Sequence, residues 1–250
     1  MILPSLLPPS SQQDLLSKLL HRDLVNPKHQ TNLHLHYHVS YPDHGASFFS
    51  EAPDKISHQP IDVTVHKPVT AKSALEKKIR WMTLGGQYDW TNKLYPPEQP
   101  PEFPSDIADL LGALFPDMEP QAAIVNLYSP GDTLSLHRDV SEEVDRGLVS
   151  ISLGCDAVFI IGLHDEETHK TRSMAVRLRS GDALYMTGES RFAWHAVPCI
   201  IPDTCPSYLW DWPGDQYPAW KNWMQNKRIN LNVRQMRNSS TKKQAHYEFV

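Results

Sequence analysis

Arg228-Ile229-Asn230-Leu231-Asn232-Val233-Arg234 alternates polar and apolar side chains without interruption. Successive side chains on an extended backbone leave opposite faces, so Arg228, Asn230, Asn232 and Arg234 share one side and Ile229, Leu231 and Val233 the other. Four polar residues lining a barrel would be costly without an occupant. An anionic acid is a fitting one, because guanidinium grips carboxylate through two parallel hydrogen bonds. The competing reading is a solvent-facing amphipathic strand.

The same period of two governs the chain from Gln121 onward. Ala123–Tyr128 reads as a strand closed by the turn Ser129-Pro130-Gly131-Asp132. Val149, Ile151 and Leu153 alternate with serines, and Ala157–Ile161 is a continuous apolar run. Met174–Leu178, Ala183–Met186 and Trp194–Val197 complete the set. Short strands at this spacing predict a double-sheet jelly roll or barrel. The fold class is therefore mainly β with flanking helices (α+β).

Upstream, Leu15, Leu16, Leu19 and Leu20 make a helical stripe, with Ser11-x-x-Asp14 expected as its cap. Ile107, Leu110, Leu111 and Leu114 make a second stripe after Pro104 and Ser105. Between the two helices, 26–68 reads as loops and short strands, and His34, His36 and His38 read as one exposed strand face. The expected organisation is 1–120 as an N-terminal extension, 121–236 as the jelly-roll core, and 237–250 as a basic tail. An insert at 198–226 carries Trp210, Trp212, Trp220 and Trp223 and is expected to form a small core of its own.

Composition narrows the function classes. The hydrophobic fraction of 40% fits a globular protein, and no apolar run approaches the span a bilayer requires. The apolar start lacks a charged region and a cleavage site, so no signal peptide is expected. Three cysteines (Cys155, Cys199, Cys205) are too few for a disulfide framework, which points to a reducing, intracellular compartment. A net charge of −5 argues against a general polyanion binder. Basic residues still cluster at Lys72, Lys77, Lys78 and Arg80, and again at Lys227, Arg228, Arg234, Arg237, Lys242 and Lys243.

His137 and Asp139 stand two apart, on one face of an extended segment. With the distant His195 they can complete a facial triad of two imidazoles and one carboxylate, the set that holds Fe(II) and leaves positions open for a bidentate acid and dioxygen. H-x-D alone is a weak signal. H-x-D, a far histidine and R-x-N-x-x-x-R in that order are strong together.

Several runs resemble the AlkB family of iron and 2-oxoglutarate dioxygenases. They are Asn126-Leu127-Tyr128-Ser129-Pro130-Gly131, Leu134 to Asp139, Val149 to Gly154, Gly181-Asp182, Gly188-Glu189-Ser190-Arg191 and the Arg228–Arg234 strand. Arg80 to Gly85, Tyr88-Asp89-Trp90 and Phe103 to Asp106 resemble the first eukaryotic branch, linked to DNA and tRNA. The resemblance implies a double-stranded β-helix with an N-terminal nucleotide-recognition lid. It implies that His137, Asp139 and His195 ligate iron. Arg228, Asn230 and Tyr128 would hold the distal carboxylate of 2-oxoglutarate, with Arg234 and Asn126 at its keto-acid end. Trp81 and Tyr88 would stack on or guide a flipped base. The implied reaction is oxidative demethylation of N-alkylated bases in DNA or tRNA, with dioxygen as co-substrate.

Two departures stand out. Ser141 replaces an acidic residue two places after Asp139, with Glu142, Glu143 and Asp145 as nearby substitutes. Leu163-His164-Asp165-Glu166-Glu167 is acidic where a basic substrate contact is expected. That acidity keeps a second reading open, a demethylase of a basic protein such as a histone. A lyase acting on abasic sites through Lys77 or Lys78 is a third, and a binding module with a vestigial triad a fourth. DNA and tRNA both remain open as substrates, and nucleus, cytoplasm and mitochondrion as locations.

Overall fold

A computed structural model describes residues 1–165 and 168–238. The acidic Glu166-Glu167 pair and the basic tail from residue 239 lie outside the described residues. In chain order the regular elements begin with strand β1 (Ile2–Leu3), helix α1 (Pro9–Ser17), β2 (Tyr37–Val39), β3 (Ile56–Pro60), β4 (Val69–Thr70) and the short α2 (Ala71–Ser73). They continue with β5 (Trp81–Gly85), α3 (Ser105–Leu114), β6 (Ala122–Tyr128), β7 (Leu134–His137) and β8 (Leu148–Gly154). The last are β9 (Ala157–Asp165), β10 (Lys170–Leu178), β11 (Ala183–Met186), β12 (Trp194–Ile200) and β13 (Arg228–Arg234).

Two antiparallel sheets face each other. The larger has six strands in the order β1-β11-β8-β13-β6-β5, and the smaller has four in the order β10-β9-β12-β7. A third sheet, β2-β3-β4, stands apart from these. The fold is mainly β with helices, of jelly-roll type, as the period-two pattern predicts. β1 and β5, from the segment read as an N-terminal extension, hydrogen-bond into the same large sheet as the core strands.

β13 is central in the large sheet, and both of its faces are closed. Ile229, Leu231 and Val233 are fully buried in the main hydrophobic core. Arg228, Asn230 and Arg234 are buried too, which excludes the solvent-facing reading of this strand. Register carries the polar face sideways: Arg228 pairs with Tyr128 and Gly154, Asn230 with Asn126 and Ser152, and Asn232 with Ser150. A cavity between the sheets is lined by Asn126, Ser150, Arg228, Asn230 and Asn232 on one side and by Leu134, Phe159, His195 and Val197 on the other.

Several local expectations change. α1 begins at Pro9 with Pro8 before it and no side-chain cap, so Ser11 caps nothing. Proline fits the first helical position because its fixed φ suits the helix and its missing N–H is not needed there. The leucine stripe continues through a wider π turn over Lys18–Asp23, and all four leucines are buried. α3 forms as expected, burying Ile107 and Leu111. The histidines 34, 36 and 38 do not share a strand: His34 sits in a turn with Nε2 3.0 Å from Tyr41 Oη, and His36 packs on His66. Of the second basic cluster, Lys227, Arg228 and Arg234 are buried and contribute to no surface patch, while Lys242 and Lys243 lie outside the described residues.

The tryptophan insert does not form a core of its own. Phe49, from the N-terminal segment, meets Trp212, Trp220 and Trp223 edge-on at 5.1, 5.6 and 5.2 Å. His21 stacks on Trp212 at 4.9 Å, and the Trp212 indole donates to Ser17 Oγ. Edge-to-face contacts suit the ring quadrupoles. The insert therefore seals the N-terminal helix onto the barrel. Trp210 stays exposed at 46%.

Phe49→Ala should destabilise the chain by about 3–5 kcal/mol and shift the tryptophan emission, measured by chemical denaturation and fluorescence. Burial lowers the His21 pKa from 6.5 to about 4. A depressed folded pKa means the unfolded chain takes up the proton first, so stability present above pH 6.5 is lost as pH falls toward 4. The thermal midpoint should drop across that window, and His21→Phe should reduce the dependence, the remainder belonging in part to His58, whose pKa burial also lowers to about 4.

Candidate active site

His137 closes β7 and His195 stands second in β12, and the two are register partners on adjacent strands. Register partners share a face, which brings the imidazoles to 4.2 Å between ring centroids. Asp139 follows β7 by two residues, and its carboxylate oxygens lie 3.9 Å from each histidine Nε2. The donor atoms of all three lie within 4.8 Å of one another. The predicted triad is therefore gathered at one point.

The surroundings prepare these groups as ligands. His137 Nδ1 lies 2.8 Å from the Ser135 carbonyl and His195 Nδ1 3.0 Å from the Ala193 carbonyl. An N–H donated there fixes the tautomer and leaves each Nε2 lone pair facing the triad. Burial lowers the His195 pKa, which favours neutral imidazole. Burial pushes the Asp139 carboxyl up, but Arg234, His195 and His137 outweigh it and hold the pKa below its ordinary value. Two imidazoles and a carboxylate are the donor chemistry that suits ferrous iron. The His137 side chain is 34% exposed and that of His195 5%, so the triad opens on the His137 side.

Arg228 sits deeper, wholly buried, and burial lowers its pKa. Its Nη2 donates to Ser152 Oγ at 3.0 Å, while Nε and Nη1 have no partner among the described residues. The Tyr128 hydroxyl, on the adjoining strand, is likewise buried and unpartnered. A buried guanidinium with no acid beside it calls for an incoming carboxylate. The fit to a dicarboxylic acid thus rests on orphaned donors in this structure. Asn126 lines the same cavity. The Asn230 amide donates to Ser150 Oγ at 2.7 Å and to the Ile151 carbonyl at 3.0 Å, so it braces the wall.

Arg234 anchors the metal end. Its Nη2 donates to Asp139 Oδ2 and its Nη1 to Glu142 Oε1, each at 3.2 Å. Asn232 also donates to Asp139 Oδ2, at 3.3 Å. Glu142 is held from the other side by Arg191 Nη2 at 2.8 Å, and Arg191 Nη1 donates to the Asp139 carbonyl at 2.8 Å. Asp139, Arg234, Glu142 and Arg191 close a ring. The side chain of Glu142, named above as a nearby acidic substitute at Ser141, is instead fully buried between two arginines. Sequence reasoning gave Arg191 no role, although it stands in one of the quoted runs. Tyr95 was also missed. It lies beside Arg234, and burial raises its pKa to about 12.

Trp81 and Tyr88 lie at the edge of the site. Trp81 pairs with Asn126 in register and packs on Trp90 at 5.0 Å. Tyr88 meets Trp90 and Tyr95 edge-on at 4.9 and 5.3 Å, and its hydroxyl reaches Ser141 Oγ at 3.2 Å. Both are partly exposed and so available to a ligand. Lys77 and Lys78 are exposed at the end of a π-helical segment, Ala74–Lys78. A lysine whose pKa burial does lower is Lys227, pushed down to about 8.

The sequence pattern of the 2OG-Fe(II) oxygenase superfamily matches residues 1–234. The chain belongs to this superfamily. The 2OG-Fe(II) oxygenases use ferrous iron and 2-oxoglutarate, as the donor set and the orphaned guanidinium suggest. A Pyricularia oryzae protein named N6-methyladenosine RNA demethylase ALKB1 is 52% identical over 95% of this chain and 74% of its own length. A Cryphonectria parasitica protein named N6-methyladenosine RNA demethylase ALKBH is 54% identical over 82% of this chain and 99% of its own. The tRNA demethylase abh1 of Schizosaccharomyces pombe is 41% identical over 91% and 76%. The solved structure of OsALKBH1 superposes with a TM-score of 0.58 at 20% identity, over 94% of this chain and 95% of that one, which supports the fold. The AlkB resemblance and its first eukaryotic branch are borne out. Histones find no support among these relatives.

Glu142→Ala should leave the buried Arg191 without its carboxylate and Arg234 with Asp139 alone, and destabilise the fold by about 3–5 kcal/mol. Loss of that support should weaken ferrous iron binding by about 10–100-fold, read by metal titration. Glu142→Gln should keep the shape and lose less of both.

Proposed function

We propose that this chain oxidatively demethylates N-methylated bases in nucleic acid, with N6-methyladenosine in RNA as its main substrate. The observation that carries the reading is the gathered His137, Asp139 and His195 set facing the buried, uncompensated Arg228. The choice of RNA is supported by the names of the two relatives above 50% identity, whereas the relative named a tRNA demethylase is 41% identical. An Arabidopsis thaliana relative named a DNA N(6)-methyladenine demethylase is 36% identical over 68% of this chain.

Bound iron, 2-oxoglutarate and dioxygen would supply the oxidant, with succinate and carbon dioxide as by-products. His137, Asp139 and His195 would hold the metal through Nε2, a carboxylate oxygen and Nε2. Arg228 and Tyr128 would bind the distal carboxylate, with Asn230 bracing that wall, while Arg234 and Asn126 would stand at the keto-acid end. Arg234 at once keeps Asp139 ionised and oriented. Trp81 and Tyr88, in the segment read as a lid, would place the base so that its methyl group meets the open side. A base inside a duplex cannot reach a buried centre, so the target must be unpaired or flipped. Stacking worth about 1–3 kcal/mol per base would offset unstacking. Hydroxylation of the methyl group leaves an N-hydroxymethyl base, which loses formaldehyde. The three free cysteines support an intracellular compartment, with nucleus, cytoplasm and mitochondrion as candidates.

Mass spectrometry of nucleosides released from methylated RNA, tRNA and DNA should show N6-methyladenosine disappearing from RNA only when iron and 2-oxoglutarate are supplied. His137→Ala or Asp139→Ala should abolish both this loss and succinate formation. Arg228→Ala should raise the 2-oxoglutarate requirement steeply. Full activity of either triad variant would refute the metal assignment, and loss of methyl groups from DNA alone would refute the choice of RNA.

A further inference from the structure

The face that carries the metal ligands does not end at them. His137 pairs with His195, His195 with Ile161, and Ile161 with Met174. Paired residues share a face, so one row of side chains crosses all four strands of the smaller sheet. Strands lie about 4.8 Å apart, which sets Met174 roughly 10 Å from His195. In the next row along, Leu163 stands opposite Arg172.

Burial falls along this face as it leaves the barrel. Phe159 packs on the His195 ring at 5.7 Å and is buried. Ile161 and Leu163 are half-buried, Met174 is 55% exposed, and Arg172 is exposed. Together with Glu189, from the turn that leads into β12, they line a recess of about 290 Å³. Nothing in the site described above uses it.

Two features specify the occupant. The floor is built from Ile161, Leu163 and Met174, an apolar surface onto which a base can lay its π face without hydrogen-bond readout. Arg172 at the edge has no ion pair among the described residues, which leaves its guanidinium for a phosphate. An apolar floor beside a guanidinium that has no ion pair among the described residues matches a nucleotide better than a lipid chain or an aliphatic peptide.

We propose that this recess is the subsite for the nucleotide adjoining the one whose base enters the metal centre. The neighbouring base lies on Met174, Ile161 and Leu163, and the intervening phosphate meets Arg172. The inference rests on the nucleic-acid reading above and deepens it. The smaller sheet then serves twice on one face, holding the metal on its β7–β12 side and the nucleic-acid strand on its β9–β10 side.

Fluorescence anisotropy with a short single-stranded RNA carrying one N6-methyladenosine tests it, alongside demethylation kinetics. Met174→Ser and Arg172→Gln change exposed side chains, and thermal melting checks that the fold persists. Each should weaken RNA binding about 5- to 50-fold and raise KM for RNA more than it lowers kcat. In a second arm, the base on one flank of the methylated nucleotide, and then on the other, is replaced by an abasic position. At one flank the loss should equal that of Met174→Ser in the wild type and vanish in that variant, because both changes remove one contact. Unchanged RNA affinity in both variants, or losses that add at both flanks, would overturn the subsite. Wild-type protein that binds the RNA in this manner without demethylating it would sink the functional reading and leave the subsite standing. Wild-type protein that does not bind RNA would overturn both.

Discussion

The ion pair between Arg234 and Asp139 ties the two sheets together at the point where chemistry would occur. Arg234 ends the central strand of the large sheet, and Asp139 follows the edge strand of the small one. A lone buried guanidinium or carboxylate would be strongly unfavourable. Each is tolerable only because the other is there, with Glu142 and Arg191 closing the ring. The same contacts keep Asp139 ionised and fix its direction. Metal-binding geometry and inter-sheet packing are thus one interaction seen from two sides.

Arg228 shows the opposite arrangement on the same strand. It is as deeply buried as Arg234, yet among the described residues no acid answers it. One arginine of β13 is compensated by the protein and the other is left for a ligand. Beyond them, the tryptophan insert holds α1 and the Phe49 turn against the barrel.

Much of the site was legible because its signals are local. H-x-D on an extended segment puts two side chains on one face whatever the tertiary structure does. The strict alternation of Arg228–Arg234 does the same for four polar groups. The errors came where the deciding contact is distant. Glu142 reads as one acid among several near Ser141, and only Arg191 and Arg234 reveal its place. Ser11 looked like a cap because Ser and Asp occupy capping spacing, but Pro9 sets the helix start first. The tryptophans looked self-sufficient because their partner Phe49 lies far upstream.

Spacing and alternation along the chain already carry the chemistry on offer: two imidazoles and a carboxylate, and a strand whose polar face wants an anion. Backbone geometry fixes such alternation residue by residue, so it can be read without coordinates. The packing of the sheets settles that His137 and His195 stand in register, that Arg228 has no acid beside it among the described residues while Arg234 has two, and that the face carrying the ligand residues runs out to Met174. Those outcomes depend on which strands pair and in what register, a choice made by the burial of both sheets at once.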